Sequence, residues 1–274
     1  MDRYKVDRKD RFLLSSTSKG NQIKWFKDNK WLKADTMGYE GVAEALVSNL
    51  EMFVENIDFV EYSLCVIDDY NDGEYINSYN GCVSDNFTNE DESVISVDRI
   101  LTQYYRTARY ADTITKLSGK DLVSTVVNIC SEITRISYND IMLYLSNMFK
   151  LDAVTLNEDR HLNNISFVKN INGTYRLAPI FDNGLSLLSD TQDYPMGYNL
   201  KSNMRKVKSK PFSSSFKKQI GYFDEYPLLR IDVKSFFEKI ESVSSEDRTR
   251  EFNRAYYILK LRLEELKGVA WEDV

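Results

Sequence analysis

The stretch from Leu156 to Ser186 constrains the fold more than any other part of this 274-residue chain. Apolar and polar residues alternate from Ile165 to Lys169, a turn-forming cluster follows, and Tyr175 to Ile180 makes a second short run. This pattern predicts a β-hairpin, which returns the chain to the point where it began. Because Asn164 and Asp182 flank the hairpin, we expect their side chains to lie side by side.

Those flanking residues, together with Asp159, indicate a particular chemistry. An amide oxygen and a carboxylate can hold Mg²⁺ on nucleotide phosphates, because this ion keeps several waters and takes only one or two protein oxygens. Asp159 precedes Asn164 by five residues and can orient and deprotonate an incoming hydroxyl group. Protein kinases use the same spacing, with a second Asp on the next hairpin. An isolated string of this kind could equally be a solvated loop, but the hairpin and Asp182 favour a phosphoryl-transfer site.

Composition narrows the class of protein. The chain is rich in Tyr and Phe and poor in Gly and Pro, as expected of a globular protein. Its net charge of −6 argues against direct, sequence-specific binding of nucleic acid. No apolar run is long enough for a membrane span, and residues 1–10 carry no signal core, so we expect a cytoplasmic protein with no membrane association. Cys65, Cys82 and Cys130 are too widely spaced for a zinc or disulfide framework.

The first part of the chain predicts a small sheet. Arg11 to Ser15 is typical of a strand that enters a polar loop, and Gln22 to Lys27 with Lys30 to Ala34 predicts a hairpin. A Ser, Thr and Gly loop lets backbone N–H groups approach phosphate oxygens, although it could equally be an ordinary turn. Phe59 to Asp68 and Tyr79 to Ser84 predict two further strands.

One lysine and one acid in this part are candidates for a nucleotide-binding pair. Lys33 ends the third predicted strand on the same face as Trp31, where it can reach phosphates. Other lysines compete for that role: Lys24, Lys27 and Lys30. Glu40 begins a predicted helix that ends at Phe53, and it either pairs with Lys33 or acts on the helix dipole.

From Val97 onward the apolar spacing is helical. We therefore predict a division into an N-terminal lobe of residues 1–92 and a helical C-terminal lobe of residues 93–274, with Ser137 capping one of the helices. The predicted helices cover Asp98 to Arg109, Lys120 to Ile136, Tyr138 to Lys150, Asp232 to Ile240 and Glu246 to Lys267. Between them, Lys201 to Lys218 carries seven basic residues and no acid, which indicates a solvated face or a docking surface for an acidic or phosphate-rich partner.

The order of residues in the central stretch resembles the HipA family of bacterial serine/threonine kinases. In that family a D-x-H-x-x-N run precedes a hairpin and an L-x-P-x-[YF]-D segment. The corresponding residues here run from Asp159 through His161 to Asn164, and from Leu177 through Pro179 to Asp182. The polar loop of residues 16–21 is also similar to the family's phosphate loop, S-x-x-G-x-Q-x-K, of which Gly20, Gln22 and Lys24 are present.

The resemblance implies an α+β fold with two kinase lobes, a small antiparallel β N-lobe and a mainly helical C-lobe, that uses ATP and Mg²⁺. Asp159 would be the catalytic base, Asn164 and Asp182 the metal ligands, and His161 a contact of the γ-phosphate or an orienting residue of the loop. The remaining implied ATP contacts are Thr17, Ser18, Gly20, Gln22 and Lys33, and, at the interlobe hinge, Cys82 and Ser84. Autophosphorylation is implied at Ser16, Thr17 or Ser18.

The resemblance also bears on partners. It implies a protein substrate, with a translation component such as an aminoacyl-tRNA synthetase as one candidate, and a separately encoded antitoxin or regulatory protein. The segment that longer HipA toxins place before the phosphate loop is absent from the sequence, which weakens the expectation of toxin behaviour. Two alternatives stay open: a nucleotide-binding regulatory module without catalysis, and a kinase of a small molecule or lipid headgroup.

Overall fold

The structure is a computed structural model that describes residues 1–12, 22–114, 116–243 and 249–274. Its largest sheet has six strands in the order β1-β5-β6-β4-β3-β2. They are β1 (Asp2–Asp7), β2 (Arg11–Phe12), β3 (Lys24–Lys27), β4 (Lys30–Ala34), β5 (Ser63–Asn71) and β6 (Glu74–Asp85). All neighbouring strands are antiparallel except β1, which pairs with β5 in parallel.

The strands β2 to β6 were predicted, although β5 begins four residues after the predicted Phe59 and β6 begins five residues before the predicted Tyr79. The strand β1 was not predicted. This edge strand escaped prediction because its residues are mostly charged and only Val6 is buried in the core of the sheet. The hairpin between β3 and β4 turns at Asp28 and Asn29, whose φ angles of 50° and 58° suit the tight turn that matches strand twist.

Helix α1 (Glu40–Glu51) lies against this sheet at very short range. A Cβ atom at Gly41 would lie 2.7 Å from the carbonyl carbon of Gly81, and one at Gly81 would lie 2.0 Å from the carbonyl oxygen of Lys33. Both positions therefore require glycine: Gly41 lets the helix backbone approach β6 closely, and Gly81 lets β6 lie close to β4. The close approach brings the acidic side chains of α1 within reach of Lys33.

The rest of the chain is mainly helical and contains the larger core. Its helices are α2 (Val97–Tyr105), α3 (Ala111–Ile114), α4 (Gly119–Thr134), α5 (Tyr138–Thr155), α6 (Leu200–Met204), α7 (Phe216–Ile220), α8 (Val233–Glu241) and α9 (Arg250–Leu266). Short 3-10 turns cover Arg8–Asp10 and Gly221–Phe223. The helix predictions are confirmed to within a few residues at most ends; the exception is α5, which continues five residues beyond its predicted end at Lys150.

Helix α5 is the central support of the site. It begins where predicted, since the Ser137 hydroxyl accepts a hydrogen bond from the backbone N–H of Asp140 at 3.1 Å. Residues 148–155 are all buried, so the second half of the helix runs through the core. It ends at Leu156, whose left-handed φ of 56° turns the chain into the loop that carries Asp159.

The predicted central hairpin is present as β8 (Ser166–Asn170) and β9 (Tyr175–Leu177). A third strand, β7 (Glu92–Ser96), pairs with β8 along its whole length. The sequence predicted a lobe boundary after residue 92 and not this strand, because Ile95 is the single buried apolar residue of β7. The last two strands, β10 (Leu229–Ile231) and β11 (Trp271–Asp273), form a separate parallel pair.

Backbone hydrogen bonds connect the chain before β5 to the segment after β9. Residues 58–60 pair with the segment after β9, because Ile180 donates its N–H to the Asp58 carbonyl at 2.7 Å and accepts the N–H of Val60 at 2.9 Å. Within the described ranges of the chain, none of the helices combines the length and apolar character needed to cross a bilayer.

Candidate active site

A cleft of about 720 Å³ opens between the six-stranded sheet and the helical part. Nine of the candidate residues that the sequence singled out line this one cleft: Gln22, Lys24, Lys33, Glu40, Ser84, Asp159, His161, Asn164 and Asp182. They come from β3, β4, α1, β6, the loop after α5 and the loop after β9, together with Gln22 just before β3. The cleft is large enough for a nucleotide and a part of a second substrate.

Lys33 lies at the centre of an ion-pair network in this cleft. Its ammonium group is 2.6 Å from Oε1 of Glu44 and 2.8 Å from Oδ1 of Asp182, and it also donates to the Tyr62 hydroxyl at 3.1 Å. Glu44 accepts the backbone N–H of Asn183 through its other oxygen, at 2.8 Å. A single glutamate on α1 therefore fixes both the lysine and the loop that carries Asp182.

Lys24 adds a second cation to this network. It is directly opposite Lys33 in the β3–β4 ladder, and its ammonium group is 3.4 Å from the same oxygen of Asp182. Burial alone would raise the pKa of Asp182, but Lys24 and Lys33 outweigh it and hold the pKa well below its usual range. Burial alone would likewise lower the pKa of Lys33, but Asp182 and Glu44 raise it. Asp182 and Lys33 are therefore both charged near neutral pH.

The alternative in which Glu40 pairs with Lys33 is wrong. The Glu40 carboxylate accepts backbone N–H groups of Thr36, Met37 and Gly38 at 2.8 to 2.9 Å. Glu40 thus organises the turn before α1. Glu44, one helical turn further along and on the same face of the helix, is the partner of the lysine.

Arg160 joins the loop of Asp159 to the loop of Asp182. Its side chain is fully buried and pairs with Asp152 of α5 at 3.1 Å. The same guanidinium donates to the carbonyl oxygens of Phe181, at 2.6 Å, and Asn164, at 3.3 Å. It also donates to Oδ1 of Asn183 at 2.5 Å. One buried cation therefore sets the spacing between the two sequence motifs.

Asp159 lies between the side chains of Lys210 and His161. Lys210 donates to its Oδ1 at 2.9 Å, and Nε2 of His161 lies 3.5 Å from its Oδ2. The other ring nitrogen of His161 is buried without a hydrogen-bond partner in the described part of the chain. The Asp159 side chain is about one-sixth exposed, so a hydroxyl group entering the cleft can reach it.

Asn164 is oriented by its neighbour in the loop. Its side-chain N–H₂ donates to the Asp159 carbonyl at 3.0 Å, which leaves the amide oxygen free to face another group. This oxygen and the Asp182 carboxylate are hard oxygen donors that line the same cleft, and such a donor set fits Mg²⁺.

A second acidic group lies near the site but outside the cleft. Oxygen atoms of Glu158, Asp190 and Asp193 lie within 4.8 Å of one another. The Tyr194 hydroxyl donates to Glu158 at 2.6 Å, and Asp190 accepts two backbone N–H groups at 3.0 and 3.1 Å. These contacts indicate that the three acidic residues stabilise the fold of the segment after Asp182.

Cys82 and Ser84, the two residues predicted at the hinge, differ in their access to the cleft. Cys82 is fully buried within β6, opposite Lys33, and is not among the residues that line the cleft. Ser84 lines the cleft together with Asn86, Phe87 and Thr88. The predicted adenine contacts at Cys82 and Ser84 stay predictions, although only Ser84 has access to the cleft.

The phosphate loop falls largely in a stretch that the structure leaves undescribed. Ser16, Thr17, Ser18 and Gly20 lie outside the described residues, so their predicted roles stay predictions. Gln22 is described, and its side-chain amide donates to the Ala34 carbonyl at 3.3 Å. This bond holds the start of β3 beside the end of β4.

Three residues of the site escaped sequence analysis. Glu44 carried a signal, because it lies one turn after Glu40 on the same predicted helix face. Arg160 carried a weaker one, since a buried arginine needs a buried acid and Asp152 is in the preceding helix. Lys210 had no local signal, because it is one of seven basic residues in a charged run.

The comparisons with known proteins agree with this architecture. No family model matches the chain, and no curated protein matches it in sequence. Among solved structures, the chain is similar to the Helicobacter pylori proinflammatory kinase CtkA, with a TM-score of 0.59 over 95% of this chain and 94% of that one. The chain has a kinase fold.

Sequence identity with CtkA is 15%, so the likeness to that kinase concerns the fold. A second similar structure is the HipA protein of Shewanella oneidensis MR-1, solved as a complex with HipB and operator DNA. Its identity is 12%, with a TM-score of 0.48 over 94% of this chain and 66% of that one. The α+β kinase-type fold predicted from the sequence is confirmed.

Proposed function

We propose that this chain is an ATP-dependent phosphotransferase that transfers the γ-phosphoryl group of Mg·ATP to a serine or threonine hydroxyl of a protein. The observation that carries the proposal is the chain of ion pairs from Glu44 through Lys33 to Asp182, at the floor of a cleft that Asp159 also lines. Kinases need a lysine–glutamate pair and a metal-binding aspartate together for phosphoryl transfer.

The phosphate end of the nucleotide would lie against Lys33 and Lys24. Both ammonium groups converge on one oxygen of Asp182, so they form a concentrated positive site at the base of the cleft. Mg²⁺ held by the oxygens of Asn164 and Asp182 would neutralise charge on the β- and γ-phosphates. The two lysines would then turn from Asp182 to the phosphate oxygens.

The base of the nucleotide would stack on Trp31. This residue precedes Lys33 by two positions on β4, so both side chains leave the same face of the strand. Its indole N–H donates to Asn86 at 3.3 Å, beside the predicted hinge, and the ring of Phe12 packs edge-on against it at 5.1 Å. Trp31 is thereby fixed with a ring facing the cleft, one strand repeat away from the phosphate-binding lysine.

The acceptor hydroxyl would be deprotonated by Asp159. This carboxylate lines the cleft, and its neighbours Lys210 and His161 are placed to stabilise charge as the proton moves. Buried Arg160 fixes the distance between Asp159 and Asp182, and small displacements of catalytic groups are costly in rate. The acceleration would come from positioning and electrostatics.

The experiment that tests this proposal is mass spectrometry of the purified protein after incubation with Mg·ATP, together with measurement of ADP release. We expect ADP release and added phosphate, both lost in an Asp159→Asn variant. Binding of ATP without any turnover would instead support the regulatory module. Transfer to a small-molecule or lipid acceptor, with none to protein, would contradict the assignment of a protein substrate.

A further inference from the structure

The basic run of residues 201–218, hereafter the basic strip, is continuous with the catalytic loop. Lys210 belongs to the strip and contacts the carboxylate of Asp159 directly at 2.9 Å. The middle of the strip therefore lies beside Asp159, where the acceptor hydroxyl would be bound in the proposed function. A substrate whose acceptor residue reaches Asp159 would lie next to this surface.

Contacts of uncharged residues hold the strip in place. Gln219, which is 1% exposed, donates to the Lys210 carbonyl at 2.8 Å and accepts the backbone N–H groups of Phe212 and Ser213. Phe212 packs against Phe149 of α5 with 5.6 Å between ring centres. These contacts attach the segment to the same helix that supports Asp159.

Burial alternates along the segment between α6 and Pro211. Val207 and Ser209 are buried, whereas Lys206 and Lys208 are exposed and Lys210 is half-buried against Asp159. Lys206 lies in the turn after α6, and the residues from Val207 to Lys210 form no regular secondary structure. Lys206 and Lys208 are therefore accessible to a substrate whose acceptor residue reaches Asp159.

The charge of the strip is largely uncompensated. In the described parts of the chain, six of its seven basic residues form no ion pair with an acid: Lys201, Arg205, Lys206, Lys208, Lys217 and Lys218. The chain as a whole carries a net charge of −6, so this surface stands out against an acidic background. Such a surface favours a negatively charged partner.

An acidic peptide fits this surface better than a nucleic acid. The aromatic residues of the strip, Phe212 and Phe216, pack against the core and offer no ring for base stacking. The overall acidic charge would also repel a long polyanion. A short acidic segment needs only the two or three cations nearest to Asp159.

We propose that the basic strip docks acidic residues of the protein substrate, and that the preferred acceptor sites carry Asp or Glu within about four residues of the phosphorylated hydroxyl. Lys208 and Lys206 are the recognition residues, because they are the exposed lysines two and four positions before Lys210. The turnover part of this proposal rests on the proposed kinase function, whereas docking itself can be measured without ATP.

The docking test uses a fluorescent peptide with one Ser and Glu at alternate positions on both sides, and a second peptide with Gln in place of Glu. Binding is measured by fluorescence anisotropy without nucleotide. We expect the Glu peptide to bind at least fivefold more tightly than the Gln peptide, with an advantage that declines as salt is raised. The double variant Lys206→Glu/Lys208→Glu should lose that preference.

The control variant is Lys5→Glu/Lys9→Glu, which makes the same change in net charge at exposed positions of the six-stranded sheet region. It should retain the preference for the Glu peptide. Equal binding of the two peptides, equal loss in both variants, or tighter binding of a single-stranded oligonucleotide than of the Glu peptide would overturn the proposal.

Turnover separates docking from catalysis. If the Glu peptide is preferred in binding and the strip variant also lowers kcat/KM for it, both proposals stand. If peptide binding depends on the strip but no phosphate is transferred to any acceptor, the docking surface stands and the kinase function fails. Transfer with equal kcat/KM for the Glu and Gln peptides would contradict substrate selection by the strip and would leave the proposed kinase function intact.

Discussion

The ammonium group of Lys33 lies 2.8 Å from Oδ1 of Asp182, and this ion pair connects strand β4 to the loop after β9. Both groups are needed by Mg·ATP in the proposed function, one for the phosphates and one for the metal. The carboxylate is thus a partner of the nucleotide when metal is bound and a competitor for its lysines when metal is absent. Removal of this carboxylate should therefore have opposite effects on ATP affinity with and without Mg²⁺.

The variant Asp182→Asn should therefore change ATP affinity in opposite directions. With Mg²⁺ present, loss of the carboxylate ligand should weaken binding by about tenfold or more. With EDTA present, Lys24 and Lys33 no longer pair with the Asp182 carboxylate, so binding should be equal or tighter. Titration calorimetry in both buffers measures this, with Asp91→Asn as an exposed control; weaker binding in both would contradict the metal role.

The variant Asp159→Asn should separate chemistry from binding. Asp159 contacts Lys210 and His161 but neither phosphate-binding lysine, so Mg·ATP affinity should change by less than about threefold. Loss of a general base should lower turnover by about 10² to 10⁴-fold. Single-turnover phosphoryl transfer, measured beside calorimetry, gives both values. Retention of wild-type turnover would remove Asp159 from the mechanism.

The indole of Trp31 should report nucleotide binding. The chain has three tryptophans, and the other two, Trp25 and Trp271, are 0% and 3% exposed. ATP should quench the fluorescence of Trp31, and Trp31→Ala should weaken ATP binding about tenfold, as loss of one stacked base predicts. Trp31→Phe should keep most of the affinity but lose the signal. Unchanged affinity in Trp31→Ala would exclude stacking.

Removal of the Arg160 guanidinium should destabilise the whole protein. Arg160→Met leaves Asp152 buried without its cation, and breaking a buried pair costs about 3–5 kcal/mol in free energy of unfolding. The double variant Arg160→Met/Asp152→Leu removes both charges and should recover part of the loss. Urea denaturation followed by circular dichroism measures all three proteins. Equal stability of wild type and Arg160→Met would contradict the structural role.

The stability of the protein should depend on pH through Asp35. Burial raises the pKa of this carboxyl to about 7, although it accepts the N–H of Gly41 at 2.6 Å. The folded state therefore binds a proton that the unfolded state releases near its ordinary pKa, so stability falls as pH rises from about 4 to 7. Asp35→Asn keeps the acceptor oxygen and removes the charge.

At pH 8 Asp35→Asn should be more stable than wild type by on the order of 2 kcal/mol, with little difference at pH 4. Asp91→Asn, at an exposed position, should change stability at neither pH. Denaturation midpoints across this pH range provide the comparison. A difference between Asp35→Asn and wild type that stays constant with pH would show that the effect does not come from ionisation.

The sequence could predict most of what makes the cleft, because its signals are local. Five residues separate Asp159 from Asn164, and the hairpin that follows has clear turn chemistry, so the return of Asp182 was foreseeable. The contacts that escaped prediction join residues far apart in the chain. Glu44 meets Asn183, and Lys210 meets Asp159, through tertiary packing that periodicity does not encode.

Edge strands were the other source of error. In β1 and β7 few side chains are buried, so the alternation that identifies a strand is weak. Both strands are defined by the neighbour they pair with: β5 for the first and β8 for the second. A one-dimensional pattern has no information about that neighbour.

The two hydrogen bonds at Ile180 tie residues 58–60 to the segment that leads to Asp182. Any opening or closing of the sheet that preserves them must rotate about a point two residues before Asp182. Residues near a rotation axis travel little, whereas the far side of the mouth sweeps a wide arc. In the proposed function, the Asp182 carboxylate would thus remain almost stationary while the far edge of the sheet moves over the cleft.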